Sequence, residues 1–447
     1  MLDVVHRTAA WLAPGSPPFA VATIVAAGGS VPRPVGTSMA VRSGAVRSGA
    51  VHGDEVVGSL SGGCVEAAVH AACVEAVRTG RPHRESFGWS AQDAFAVGLT
   101  CGGTIDVLVQ PVDPSSPGHL LGALRRLAAA PEDAPALLVR RVAPDDASDD
   151  VPPPPPSASS VGRKPGTGRL MTRSAVGAAV GGSAVGGVLD AGTLAALLRP
   201  LLDDERSLPG AVAQVGALAR AGASGVVRVA PDGAPRPAQC AGPDARPGSA
   251  ERAPVTLLVE TRLAPPRMIV CGANDHGAAL TAAARLLGYR VTLVDARPLF
   301  ADPRRFPAAD VVVDWPDRYL AAEVAAGRTD ARTAVAVLTH DAKVDVPLLA
   351  LALRTDLGYV GAMASRRAHA ERVAALREEG LTDADLARLR SPIGLDVGAV
   401  TPAEIAVSVL AEVVAAARPG ATGVPLSGLD GPLHPAPQPK ESDRPWT

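Results

Sequence analysis

Two short stretches of this chain each place a cysteine directly against a pair of glycines. GSLSGGCVE covers residues 58–66 and contains Cys64, and LTCGG covers 99–103 and contains Cys101. Cysteine sulfur is a soft nucleophile and a ligand for soft metals, and glycine lets the backbone turn sharply and approach a ligand closely. The residue types therefore admit two interpretations: two halves of one site, or two buried thiols beside tight turns.

Cys64 is the stronger of the two candidates because it precedes a helical pattern. Apolar residues recur at helical spacing over residues 64–80, with Ser61 as a candidate N-cap and Gly80 as the end of the helix. A thiol in the first turn of a helix meets unpaired N–H groups and the positive end of the helix dipole, which favour the thiolate. We therefore expect Cys64 to be partly thiolate near neutral pH and able to bind a soft metal or a persulfide.

Neighbouring groups extend this candidate site. The N–H groups before Cys64 are suited to an oxyanion or a phosphate, and Glu66 either orients a ligand or favours the helix dipole. The alternative for each cysteine is a small buried hydrophobe at a tight turn. The candidate ligand-binding residues are Ser61, Gly62, Gly63, Cys64, Glu66, Cys101, Gly102 and Gly103.

The other three cysteines receive no function. Cys73 lies on the apolar stripe of the predicted helix, Cys271 ends a buried strand, and Cys240 lies in a linker. Because the chain has no CxxC or HxH cluster, a metal centre held wholly by protein ligands is not expected.

The last third of the chain contains a second kind of candidate site. GANDHG at 272–277 occupies the position of a Rossmann phosphate loop, although Asn274 stands where dinucleotide binders usually have glycine, and Asp295 follows about twenty residues on. Other polar residues follow predicted strands, where this topology places ligands. The candidate phosphate or nucleotide ligands are Gly272, Asn274, Gly277, Asp295, Arg297, His340, Asp341, Ser365 and Arg366, and the alternative is a Rossmann-like fold that binds no nucleotide, with solvated helix-cap residues.

The elements that would position these residues differ between the two halves of the chain. Strands are predicted at 19–27, 37–42, 55–60, 104–112 and 136–142, with helices at 64–80 and 118–129, which is a mixed α+β pattern. From residue 265, buried strands at 267–271, 291–297, 311–314, 334–340 and 358–362 alternate with helices, which predicts a parallel Rossmann-like sheet. The last helix, 401–417, begins with a capping box. The fold class is therefore α/β, a mixed α+β N-terminal domain followed by a Rossmann-like domain.

Composition shifts divide the chain further. We assign the N-terminal domain to 1–145 and 169–230, interrupted by a disordered proline-rich insertion at 146–168. Residues 168–198 faintly repeat the pattern of 36–69, with Val188 in place of Cys64. A flexible linker at 231–254 leads to the C-terminal domain at 255–417, and a disordered tail occupies 418–447.

Charge and hydropathy exclude several classes of protein. The chain of 447 residues has a formal net charge of −2 and no polybasic run, which argues against nucleic acid as a partner. No apolar stretch is long enough to span a membrane, and the N-terminus shows no signal peptide. Five scattered cysteines fit a reducing cytoplasm.

These motifs resemble those of the XdhC/CoxI family. The resemblance is carried by SVPRPVGTSMAV, VGSLSGGCVE and LTCGG in the first half. In the second half it is carried by GYRVTLVDARP, RRFPAAD, LTHDAKVD, GYVGAMASRR and PIGLDVGAVTPAEIAVSVLAE. It covers residues from about 10 to 112 and 265 to 417 in the family's order. One departure is Ala364–Ser365, where the family often has Gly-Ser.

The resemblance implies an accessory protein of molybdenum hydroxylases such as xanthine dehydrogenase or CO dehydrogenase. Such a chaperone binds the molybdenum cofactor (molybdopterin), supports its sulfuration by a cysteine desulfurase and delivers it to the apo-enzyme, so it is a carrier more than an enzyme. The cofactor's molybdenum would then meet Cys64, and a homodimer is implied. Two alternatives remain: an NAD(P)-dependent oxidoreductase using the Rossmann-like half, or a sulfurtransferase carrying a persulfide on Cys64.

Overall fold

The chain folds into two compact units, each built on β-sheet. The computed structural model describes residues 1–29, 31–44, 46–47, 50–51, 53–88, 103–116, 118–142, 176–180, 190–230, 254–418 and 420–428. The first unit runs to Leu263, and the second begins at Ala264. The α/β class, with a parallel sheet in the second half, is confirmed.

The first unit begins with a five-stranded antiparallel sheet in the order β5-β2-β1-β7-β6. Its strands, with a short separate hairpin of β3 and β4, are β1 Phe19–Gly28, β2 Ser38–Arg42, β3 Val46–Arg47, β4 Ala50–Val51, β5 Glu55–Gly58, β6 His83–Phe87 and β7 Thr104–Val112. Helix α1, Glu66–Thr79, packs on one face of this sheet through Val69, Cys73 and Ala76, all of them buried.

A second sheet in the same unit has the order β10-β11-β8-β9. Its elements are α2 His119–Ala129, β8 Ala136–Val142, β9 Val176–Val180, α3 Ala191–Leu198, α4 Leu208–Ala221, β10 Gly225–Val229 and β11 Val255–Arg262. Strand β11 pairs with β8 and β10, so it belongs to this unit, and the second unit begins at 264 instead of the predicted 255.

The two sheets of the first unit meet over a small apolar cluster and the buried side chain of Arg140, which donates to the Thr23 hydroxyl of β1 at 3.2 Å. Val25 and Leu108 of the first sheet pack with Val142 and Leu258 of the second. Within the second sheet, the Arg140 guanidinium also donates to the Glu260 carboxylate at 2.7 Å, and both side chains are almost wholly buried. Residues 19–25 of β1 are buried throughout, and apolar except for Thr23, since β1 has α1 on one face and residues of the second sheet on the other.

The second unit is a six-stranded parallel sheet in the order β14-β13-β12-β15-β16-β17. Its elements are β12 Arg267–Cys271, α5 Asp275–Leu286, β13 Arg290–Val294, β14 Asp310–Val312, α6 Pro316–Ala325, β15 Ala334–Val337, α7 Ala342–Arg354, β16 Tyr359–Ala362, α8 Arg366–Glu378, α9 Asp383–Leu386, β17 Leu389–Arg390 and α10 Pro402–Ala416. Separate apolar clusters cover the two faces of the sheet. The strand order reverses between β12 and β15, which is where ligands bind in such folds.

Helix ends follow the expected local chemistry in most places. Thr401 and Glu404 form the predicted capping box at the start of α10, and Gly80 ends α1 in a left-handed conformation at φ 66°. Helix α1 begins at Glu66, two residues later than predicted, so Cys64 precedes the helix and does not lie in its first turn. Among the described residues, no helix is long and apolar enough to cross a membrane.

Several predictions fall outside the described residues. These are the proline-rich insertion at 146–168, nearly all of the linker at 231–254 and most of the tail at 418–447. The second copy of the weak repeat is described in part, as β9 and α3, whereas Val188 lies outside. Strand β6, helix α4 and strand β10 have no counterpart in the sequence-based prediction.

Candidate functional site

The loop from Ser59 to Val65 connects β5 to α1 and carries Cys64. It leaves the sheet at Gly58, which has φ +89°. A Cβ at this position would lie 2.3 Å from the carbonyl oxygen of Ser38 on β2. Glycine is therefore required here both for its backbone conformation and for close strand packing.

Gly62 and Gly63 also have positive φ, at +84° and +134°. In contrast to Gly58, a Cβ at either position would meet nothing within 4 Å. The two residues are exposed, so their glycines are required by the turn of the backbone and not by neighbouring atoms.

The Glu66 carboxylate folds back onto this loop and accepts hydrogen bonds from five of its backbone N–H groups. Oε1 accepts from the N–H groups of Leu60, Ser61 and Gly62 at 3.2, 2.8 and 2.9 Å. Oε2 accepts from Gly63 at 2.8 Å and from Val65 at 3.2 Å. The N–H groups that the sequence suggested for an oxyanion or phosphate thus bind a carboxylate of the chain itself.

Two hydroxyl groups complete the shell of this carboxylate. Ser59 Oγ donates to Oε1 and Ser61 Oγ to Oε2, each at 2.6 Å. Burial by itself raises the pKa of Glu66, but the hydrogen bonds from Ser59, Ser61 and the Ser61 and Gly62 N–H groups outweigh burial and hold that pKa far below its usual range. Glu66 is therefore a carboxylate at any physiological pH.

Ser61 connects Glu66 to Cys64. While its hydroxyl donates to Glu66, its oxygen accepts from the N–H groups of Cys64 at 2.9 Å and Val65 at 3.1 Å. Ser61 thus bonds the N–H groups just before α1, but the residue at the N-cap position is Val65, so the N-cap role predicted for Ser61 is wrong.

The Cys64 side chain is half-buried, at the edge of the apolar cluster beneath α1. Cys73, two turns further along, is wholly buried in the same cluster, and burial raises the pKa of its thiol to about 12. Cys271 in the second unit is also wholly buried, and burial raises its pKa strongly. Of the thiols within the described residues, Cys64 is the accessible one.

The second cysteine motif is described only from its last residue. Cys101 and Gly102 lie outside the described residues, and Gly103 is buried immediately before β7. The pairing of Cys64 with Cys101 stays a prediction. Within the described ranges, no three histidine, cysteine, aspartate or glutamate side chains cluster in a way that could hold a metal ion.

In the second unit, the predicted phosphate loop lies between β12 and α5. Gly272 has φ +119°, and a Cβ on Gly277 would lie 2.6 Å from the Gly272 carbonyl oxygen, so both glycines have the packing roles typical of a Rossmann loop. Asn274 is the N-cap of α5: its Oδ1 accepts from the Gly277 N–H at 2.9 Å, and its Nδ2 donates to the Leu338 carbonyl at 3.0 Å. Its side chain thereby joins the ends of β12 and β15, across the crevice where a dinucleotide would approach.

Asp295 at the end of β13 is held by the protein itself. It is buried, and Oδ2 accepts from the Ala273 N–H at 2.7 Å and from Arg297 Nη2 at 2.8 Å. Oδ1 accepts from the Arg297 N–H and Nε, each at 2.9 Å. Burial raises the pKa of Asp295, but these hydrogen bonds and the Arg297 charge lower it further than burial raises it. A ribose hydroxyl would have to displace Arg297 to reach this carboxylate.

The remaining predicted residues of this unit lie at helix starts. Asp341 is the N-cap of α7 and Ser365 the N-cap of α8. His340 and Arg366 are exposed beside them. Nucleotide binding by these residues stays a prediction.

Sequence reasoning missed a buried ion pair near the same strand ends. Asp345 of α7 accepts from Arg372 of α8 at 2.8 Å and from the Thr339 hydroxyl, and Arg372 also donates to the Met363 carbonyl at 3.2 Å. Asp345 and Arg372 are both buried. The available signal was a charged residue on the apolar face of each helix.

Two family models match the chain. The XdhC and CoxI family matches residues 11–88, which contain the Cys64 loop and α1, and the XdhC Rossmann domain matches residues 268–413, which contain the parallel sheet. Together they cover about half of the chain. The chain belongs to the XdhC and CoxI family, as its motifs suggested.

Curated relatives match over shorter stretches. An uncharacterized Escherichia coli protein, YqeB, is 29% identical over 38% of this chain and 30% of its own length. A Bacillus subtilis protein described as a probable xanthine dehydrogenase subunit is 29% identical over 33% of this chain and 42% of its own length. The molybdenum cofactor insertion chaperone PaoD of Escherichia coli is 36% identical over 20% of this chain and 28% of its own length. The chain thus spans less than half the length of each of these relatives.

A solved structure extends the comparison to both units. The crystal structure of a protein described as a xanthine dehydrogenase from Bacillus halodurans matches with a TM-score of 0.53, over 92% of this chain and 95% of that one. Sequence identity is 21%, so this likeness supports the fold alone.

Proposed function

We propose that this protein is a carrier for the molybdenum cofactor. It binds the cofactor, supports its sulfuration and delivers it to a molybdenum hydroxylase of the xanthine dehydrogenase type. Membership of the XdhC and CoxI family and the match to a molybdenum cofactor insertion chaperone support this role. The observation that carries it is the half-buried Cys64, presented by a glycine loop that lies within the XdhC and CoxI match.

The chemistry of the loop fits a ligand that brings most of its own metal coordination. Thiolate sulfur suits a soft metal centre, and the described residues hold no cluster that could coordinate a metal without help. A molybdenum bound by the dithiolene of its own pterin needs only one protein sulfur, which Cys64 provides.

Cofactor analysis of matched variants tests the proposal. Protein purified from cofactor-competent cells is oxidised, and the fluorescent molybdopterin product is measured per chain. We expect Cys64→Ser to lose most of the bound cofactor, while Cys73→Ala, which removes the buried thiol of α1, keeps it. Equal occupancy in wild type and Cys64→Ser would contradict the role of Cys64.

The partners of this carrier are an apo molybdenum hydroxylase and a cysteine desulfurase. Incubation with a desulfurase and cysteine should increase the sulfurated fraction of the bound cofactor, measured as cyanolysable sulfur. If intact-mass measurement instead finds a stable added sulfur on the protein at Cys64, the protein is a persulfide carrier. If neither the bound cofactor nor Cys64 gains sulfur, sulfuration is carried out by another protein.

A further inference from the structure

The Glu66 carboxylate accepts more hydrogen bonds than the capping of a helix requires. It lies in the first position of α1, yet its carboxylate reaches back to Ser59 and forms seven hydrogen bonds along residues 59–65. Backbone N–H groups that converge on one point form an anion-binding concavity. In this loop, the anion is part of the chain.

The contacts form a relay toward the cysteine. The Glu66 carboxylate accepts from the Ser61 hydroxyl, and the Ser61 oxygen in turn accepts from the Cys64 N–H. The N–H groups of Gly62 and Gly63, which lie between Ser61 and Cys64 in the chain, donate directly to the Glu66 carboxylate. Removing the carboxylate would take from Gly63 its bond to Glu66 and from the Ser61 hydroxyl its acceptor, whereas the Gly62 N–H would keep a bond to Ser59 Oγ and the Cys64 N–H its bond to Ser61 Oγ. The loop around Cys64 would then be held by fewer and weaker contacts.

We propose that Glu66 is a positioning residue that fixes the loop around Cys64, and that the N–H groups of residues 61–63 therefore do not bind the phosphate of the cofactor. The cofactor is then held at this loop through the Cys64 sulfur, and its phosphate is bound elsewhere. The first statement, that Glu66 fixes the loop, concerns the protein without cofactor. The second statement, that the phosphate of the cofactor is bound elsewhere, rests on the proposed function.

Thiol labelling of the full-length, cofactor-depleted protein tests the first statement. Iodoacetamide modification is followed at each cysteine by peptide mass spectrometry. In Glu66→Gln, one carboxylate oxygen is replaced by an amide NH₂ that faces N–H donors, so the loop opens and Cys64 is labelled about tenfold faster or more. Cys73 reports on the helix and remains protected, because only the loop is released. Glu75→Gln, which alters an exposed carboxylate of the same helix, is the control and leaves the Cys64 rate unchanged.

Chemical rescue separates positioning from a general loss of structure. In Glu66→Ala the N–H groups lose their anion, so added acetate should bind there and slow the labelling of Cys64, while acetamide should not. Equal effects of acetate and acetamide, or faster labelling of Cys73 in step with Cys64, would overturn the positioning role.

Cofactor content of the same variants distinguishes this inference from the proposed function. We expect Glu66→Gln to carry severalfold less cofactor than wild type. Loss of cofactor with unchanged Cys64 labelling would make Glu66 a ligand and overturn the inference. Competition by inorganic phosphate tests the second statement: phosphate should not slow Cys64 labelling in wild type, and protection by phosphate would overturn it. If wild-type protein binds no cofactor, the proposed function fails, while labelling still decides the role of Glu66.

Discussion

Gly58 and Gly62 provide a matched pair of substitutions within one motif. Their φ angles are nearly equal, at +89° and +84°, so alanine at either position pays the same backbone cost, about 1–2 kcal/mol for an L-residue in the left-handed region. Their surroundings differ completely. The Cβ of Gly62→Ala would meet nothing within 4 Å, whereas that of Gly58→Ala would lie 2.3 Å from the Ser38 carbonyl oxygen and 2.8 Å from Val4 Cγ1.

The difference between the two variants therefore measures the packing of β5 against β2. Forcing an atom into a filled site adds about 1–3 kcal/mol, so we expect a loss of about 1–2 kcal/mol for Gly62→Ala and about 2–5 kcal/mol for Gly58→Ala. A loss of 1 kcal/mol lowers Tm by about 2–4 °C for a domain of 150–250 residues. Gly62→Ala should then unfold about 2–8 °C below wild type, and Gly58→Ala clearly lower still.

Thermal unfolding followed by circular dichroism, with Cys73 labelling as a probe of the first unit, gives the two values. The reasoning is refuted if Gly58→Ala and Gly62→Ala have the same stability, since the close approach to Ser38 would then cost nothing. A Gly62→Ala variant as stable as wild type would show instead that the loop does not hold its positive φ in solution.

Three further predictions concern the second unit. Asn274→Ala should destabilise it by about 1–2 kcal/mol, because it removes an N-cap and a second hydrogen bond; denaturant unfolding measures the loss. Asp295 has a folded-state pKa below its ordinary value, so its contribution to stability is complete above pH 4 and decreases as the pH falls below about 4; unfolding at pH 3 and 7 should show a smaller difference in Asp295→Asn than in wild type. Asp345→Asn should cost about 3–5 kcal/mol because it leaves Arg372 buried without its counter-charge, and a loss below 1 kcal/mol would show that water reaches the pair.

The second unit was predictable from sequence because parallel strands buried on both faces read as uninterrupted apolar runs. MIVC and AVAV fall within β12 and β15, and Thr401, Pro402 and Glu404 mark the start of α10 unambiguously. The first unit was harder. Strand β6 reads HRESF, without an apolar alternation, because it lies at the sheet edge. Helix α4 begins LPG, which is typical of a turn.

The residues around Cys64 were predictable in identity but not in role. The glycines, Ser61 and Glu66 could all be assigned to one loop, because their spacing matches a strand, a turn and a helix. The direction of the Glu66 side chain could not be assigned. A glutamate in the first turn can orient a ligand, favour the helix dipole or bond the preceding N–H groups, and the three alternatives require the same residue at the same position.

The Cys64 loop and the loop between β12 and α5 share one property, although they belong to different folds. In the first, Glu66 occupies the N–H groups of residues 60–63 and 65. In the second, Asp295 accepts from the Ala273 N–H, and Asn274 from the Gly277 N–H. Each loop has glycine conformations typical of anion binding, and in each these N–H groups are bonded to a side chain of the protein. The glycines are thus explained by the fold without any ligand. Cys64 is the accessible thiol among the described residues, and its role as a cofactor ligand stays a prediction.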